Sequence, residues 1–180
     1  LEFAEKLSKS GSQPIIGTQI NFKLNDTTGL LPLFALNEKG YKTIIKLSSL
    51  SFLKNDELSE PHLDFDEVLS NNEGVAILSG TINGLFGQLF NKGKFSEISE
   101  IFLKLKTNYG DRFYIEIQRH GDQNEKEFEK FNLISSKKLD IPIIATNEVF
   151  YIYKDMHEAH DALICIKNKT YVNEKNRVRF

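Results

Sequence analysis

Cysteine is nearly absent: the 180 residues contain one, Cys165. A single thiol excludes an internal disulfide framework and any multi-cysteine zinc site. Charge of one sign is also lacking. With 23 Lys and Arg against 25 Asp and Glu, the chain as a whole is not an electrostatic binder of nucleic acid. No apolar run approaches the ~20 residues that a membrane helix needs, and no basic-then-apolar leader is present, so the expected address is cytoplasmic. Hydrocarbon is plentiful. Hydrophobic residues make up 40% of the chain, with 14 Phe and 6 Tyr, which is too much for disorder and enough for one domain with a full core.

Leu1, Ala4 and Leu7 recur at helical spacing before Gly11, as in a helix that began upstream. The missing initiator Met and a basic stretch running into Phe180 add to the expectation of an internal fragment. Ile20, Phe22 and Leu24 alternate with polar residues and predict a strand. After a turn at 25–29, residues 30–36 form a second strand that Pro32 marks as an edge or a bulge. Asn37 is the expected N-cap of a helix with Tyr41, Ile44, Ile45 and Leu47 inward. A polar loop at 54–64 and a short helix near 66–70 precede a strand at 75–79, buried on both sides. Residues 81–90 read as a helical turn or two broken by Gly84 and Gly87. A helix at 94–107 presents Phe95, Ile98, Ile101, Phe102 and Leu105 on one face. A strand at 112–118 is followed by a helix at 125–138 with Phe128, Phe131 and Ile134 inward. A strand at 141–146, a helix at 155–167 and a basic tail at 167–180 complete the chain. Alternating strands and helices predict an α/β layer fold with a mostly parallel sheet, and five strands cannot close an eight-unit barrel.

Phosphate-loop chemistry is excluded. Gly87 and Gly93 flank five residues and Lys94 precedes Phe95, while Gly80, Gly84 and Gly87 do not spell GxGxxG, so these glycines read as turn residues. His157 and His160 lie three apart where a metalloprotease helix needs four, and a solvated or hydrogen-bonded helix face is the plainer account. His62 in its acidic loop reads as bland, and Cys165 as a small buried hydrophobe. His120 and Glu148 each follow a predicted strand, where chemistry collects in α/β folds. A cation could take both, but two ligands are too few for catalytic zinc. The tail, from Tyr171 through Arg177 and Arg179, fits either a phosphate-backbone contact or a solvated linker to a next domain.

Several segments together resemble a known family. They are Gln13-Pro14-Ile15-Ile16-Gly17, the run from Ala35 to Tyr41, Ile77-Leu78-Ser79-Gly80, and Phe113 to Gly121. Ile141 to Val149, Glu158 to Ile166, and Asn176 to Phe180 complete the set, in order and spacing over essentially the whole chain. This pattern is similar to the polymerase and histidinol phosphatase (PHP) domains of bacterial DNA polymerase III alpha subunits. The resemblance implies an α/β fold, a distorted, TIM-like parallel β/α barrel of seven strands, here incomplete and lacking its N-terminal strands. The partial PHP domain would occupy 1–166, and 167–180 would lead toward the polymerase domain. An open barrel would leave unpaired edges, so the isolated fragment is expected to aggregate or be partly molten.

The resemblance also implies where metal-binding members carry their ligands, and a His-x-His motif of the family would lie before Leu1. At the matching positions stand Gln19, Leu30, Leu85, His120, Glu148 and Phe150. Four of the six lack a charged or imidazole donor, so no metal, cofactor or catalytic residue is expected; His120 and Glu148 would serve if any metal were held. Leu30, Leu85 and Phe150 would wall the old cavity with apolar surface. The expected role is a non-catalytic scaffold that braces the polymerase of the same chain, a DNA-directed DNA polymerase and nucleotidyltransferase. It would possibly dock a proofreading exonuclease and other replicase subunits, and meet DNA only through the parent enzyme. The alternatives are a metal-dependent 3′–5′ exonuclease or phosphoesterase domain, and more weakly a sugar- or histidinol-phosphate phosphatase.

Overall fold

Alternation in the first predicted strand becomes β1 (Gly17–Leu24), whose Ile20 and Phe22 face the core. A left-handed Asn25 turns the chain into β2 (Thr27–Ala35), paired antiparallel with β1 from Gly17↔Phe34 to Leu24↔Thr27. A computed structural model describes residues 2–56 and 59–177, so the expectations for Leu1, Arg179 and Phe180 lie outside the described residues. The six strands form one sheet in the order β3-β1-β2-β4-β5-β6, with β3 at Leu63–Asp64, β4 at Val75–Leu78, β5 at Phe113–Ile117 and β6 at Ile143–Ala145. Parallel pairing joins β1 to β3, β4 to β5 and β5 to β6, while β2 is antiparallel to both neighbours. The fold is therefore mixed α/β with a mostly parallel sheet.

The sheet has one more strand than the five expected. β3 falls in the segment read as a polar loop, where the Asn55 amide donates to the carbonyls of Ser51 and His62 and folds the loop back. Leu63 then enters the core beside Phe22. Two residues are too few for a periodic signal.

Seven α-helices are present among the described residues: α1 (Glu2–Lys9), α2 (Glu38–Leu53), α3 (Phe65–Ser70), α4 (Leu85–Asn91), α5 (Phe95–Tyr109), α6 (Glu125–Leu139) and α7 (His157–Asn168). Asn37 caps α2 as expected, its side chain accepting from Gly40 N at 3.0 Å. The inward face of α2 is Gly40, Ile44, Leu47 and Ser51, which leaves Tyr41 and Ile45 outside. Gly40 sets that rotation: a Cβ there would fall 1.8 Å from Gly74 O. Gly87 likewise lies inside α4 rather than in a turn, because the helix rests on the backbone of Ile82. On α6 the inward residues are Phe128, Asn132 and Ser135, so Ile134 is 67% exposed, contrary to its expected place. Phe95 is also largely exposed, although its ring meets Phe90 and Phe131.

The abundant Phe residues form two ring networks. Phe65, Phe86, Phe102 and Phe113 run edge-to-face from α3 through α4 and α5 to β5, with centroids 4.9–6.5 Å apart. Phe90 joins Phe128 and Phe131 of α6 at 5.3 and 5.6 Å. Each fully buried Phe contributes roughly 1.5–3 kcal/mol by burial alone.

Contacts divide the chain into two compact units, Leu1–Thr146 and Asn147–Phe180. The first holds the sheet and its core. In the second, α7 buries Cys165, as expected for a small hydrophobe, and the rings of Phe150 and Tyr151 pack on His160.

Tyr109, buried at the end of α5, donates its hydroxyl to Val68 O of α3 at 2.7 Å, and burial pushes that hydroxyl above its ordinary value. Y109F would leave a buried carbonyl without its donor and is expected to lower the unfolding free energy by about 1–3 kcal/mol, read by denaturant titration. Asp26 lies 2.8 Å from the Lys94 ammonium, with Lys92 nearby, and its carboxyl is lowered from 3.8 to about 2. Because the folded value is the lower one, this stabilisation is complete above pH about 4 and is lost as pH falls toward 2. The difference in denaturation midpoint between the native chain and D26N should shrink over that interval and shrink further at high salt.

Candidate functional site

Because β4, β5 and β6 are parallel, their carboxyl ends share one rim of the sheet, the usual place for chemistry in such folds. The rim is built from the segments that follow these strands. After β4 come Ser79 to Gly84, after β5 come Gln118 to Asn124, and Thr146 follows β6. Asn83 Nδ2 donates to Asp122 Oδ2 at 2.9 Å and ties the first two segments together.

Two buried carboxylates organise the rim. Glu116 of β5 accepts from Gln118 Nε2 at 3.2 Å and from the Thr146 hydroxyl, and Gln118 Nε2 also donates to Thr146 Oγ1 at 2.8 Å. The Glu116 backbone N–H donates to Ser79 Oγ at 2.9 Å, and Asn132 Nδ2 donates to the Glu116 carbonyl at 3.3 Å. Glu125, the first residue of α6, accepts the backbone N–H of His120 at 2.9 and 3.0 Å and of Gly121 at 2.8 Å. Beside it, Arg119 grips Glu129 through Nε and Nη2 at 3.0 and 2.7 Å. That guanidinium holds the Glu129 carboxyl below its ordinary value. A small cleft lined by Glu116, Gln118, Glu125, Phe128 and Asn132 opens between these groups.

The six positions singled out from the sequence are only partly brought together. Gln19 pairs with Pro32 and Leu30 with Asn21, so Gln19 and Leu30 share the sheet face opposite Ile20, Phe22 and Leu31. Gly80 of the rim lies against Leu30 O, where an added Cβ would come within 3.3 Å. Leu85 lies on the other face, fully buried in the core beside Gly29. Of the three apolar replacements, only Leu85 is buried: Leu30 is 39% and Phe150 44% exposed. His120 is held by its backbone, and its residue is exposed. Glu148 and Phe150 belong to the second unit, where Glu148 is exposed and Phe150 stacks on His160 with centroids 5.0 Å apart.

Glu116, Glu125 and Asn132 were not among the candidates. Glu116 had a legible signal, a carboxylate inside an apolar strand. Glu125 is a helix-opening acid five residues after His120, and only the loop geometry shows that its side chain turns back. Among the described residues no three His, Cys, Asp or Glu side chains cluster as a metal site.

A family model described as the PHP domain matches residues 1–120. The chain is 38% identical to the DNA polymerase III subunit alpha of Rickettsia felis over 97% of its length, and 34% identical to that of Caulobacter vibrioides over 99%. The Vibrio cholerae protein of the same name is 28% identical over 98%. The chain spans only about 15% of the length of these relatives. A match that takes in residues 1–120 of 180, with strand ends arranged as above, settles the family: the chain belongs to the PHP domain family.

Proposed function

We propose that the chain acts in DNA replication as a non-catalytic scaffold segment within a DNA polymerase III alpha subunit. The relatives' names support the replicative setting, and the donor set supports the scaffold role. Cations surrender hydration only to anionic or imidazole donors of suitable number. Gln19 offers a neutral amide, Leu30, Leu85 and Phe150 offer none, and Leu85 is used up in the core. The nearby carboxylates of Glu116 and Glu125 already accept hydrogen bonds from the chain itself. The residues present therefore do not fit a multinuclear metal centre.

In this reading the parent chain supplies the DNA-directed polymerase activity and the contact with DNA, in the cytoplasm. The PHP segment braces it and offers surface to a proofreading exonuclease and other replicase subunits. No described helix is long and apolar enough to cross a membrane. The run of parallel strands β4, β5 and β6 also supports a distorted β/α barrel, of which the sheet would be an arc. Ile143 and Ile144 at its β6 edge are partly exposed, as an arc that is covered further along would require.

The test is elemental analysis of the purified protein after dialysis against zinc and manganese, alongside hydrolysis of single-stranded DNA with and without chelator. Substoichiometric metal and no chelator-sensitive hydrolysis are expected. Two or three retained ions, one of them lost in H120A, would establish the nuclease reading instead.

A further inference from the structure

The basic tail is expected from the sequence to be either a solvated linker or a phosphate contact, and in the structure Arg177 turns back onto α7. Helix α7 ends through Lys169 in the left-handed region, with the Thr170 N–H donating to Cys165 O at 3.0 Å. A turn follows in which the Glu174 N–H donates to Tyr171 O, and the Glu174 carboxylate accepts the Tyr171 N–H, both at 3.0 Å. The chain then returns to the helix. The Arg177 guanidinium meets Asp161 through both of its terminal nitrogens, one on each carboxylate oxygen. Its Nε and Nη2 also donate to Val172 O at 3.3 and 3.0 Å. The Arg177 side chain is 2% exposed.

We propose that Arg177 and Asp161 form a clamp that folds residues 170–177 back along α7 as a fixed strap. A guanidinium presents its donors in a rigid fork, and a carboxylate is the anion that fits the fork on two prongs. Here Asp161 and Val172 O take four of the five donors and the side chain is 2% exposed, which leaves little of Arg177 to meet a nucleic-acid phosphate. Lysine cannot replace it, because one ammonium cannot bridge both carboxylate oxygens and Val172 O in a plane. The strap fixes the direction in which the chain leaves α7.

Backbone amide exchange in the purified protein tests this, with β4 and β5 amides as an internal control for folding. R177Q and D161N should each speed exchange of residues 170–177 by tenfold or more and leave the control amides unchanged. R177K should fall between R177Q and the native chain, and the swap D161R/R177D should recover part of the protection. Binding of a single-stranded oligodeoxynucleotide should be the same in R177Q as in the native chain. Unchanged exchange in either D161N or R177Q would overturn the clamp. Weakened oligonucleotide binding in R177Q without faster exchange would make Arg177 a nucleic-acid contact instead.

Discussion

Buried polar groups must find partners, and most of those at the carboxyl rim of this sheet find them within the chain, Asn132 Oδ1 being an exception among the described residues. The carboxylate of Glu125 is the clearest instance. By accepting the N–H groups of His120 and Gly121 it closes the loop after β5 onto the start of α6. Glu116 does the same for strand ends, joining Gln118 and Thr146 across β5 and β6. Both buried acids of the rim are engaged in holding its loops and strand ends. Its residues brace strand ends, and that is the physical basis for reading the domain as structural.

Hydrocarbon completes what the hydrogen bonds begin. Leu85 opens α4 and is buried against Gly29, where it contributes to the core. The phenylalanine networks run from α3 to β5 and from α4 to α6, so the helices that frame the rim share packed rings. Tyr109 adds a polar tie, with the Arg112 guanidinium 5.3 Å above its ring and donating to Val75 O at 2.7 Å. These contacts connect the turn before β4 to the end of α5.

Much of this was legible in the sequence, for identifiable reasons. The period of two in 20–24 and the unbroken apolar run at 75–78 mark strands because one or both faces are buried. Asn37 marks a helix start because its side chain can satisfy a free N–H. What failed was rotation and reach. Tyr41, Ile45 and Ile134 are apolar yet outside, because Gly40 must approach Gly74 and because Asn132, a polar residue, takes the inner place to reach Glu116. The two-residue β3 gave no period to detect. The clamp at Arg177 was illegible because its partner lies sixteen residues back on another element. At the candidate site, the apolar character of Leu30, Leu85 and Phe150 was visible in the sequence and all three were expected to be buried, but that only Leu85 is buried was not legible.

The central claim is that packing and internal hydrogen bonds, not bound ions, hold the rim of this domain together. A ligand that binds only the folded state stabilises it by RT ln(1 + L/Kd), L being its free concentration, and so raises the melting temperature. Thermal denaturation before and after exhaustive chelation therefore addresses the claim directly. The account predicts superimposable transitions. A lower midpoint after chelation, restored by adding back zinc or manganese, would contradict it.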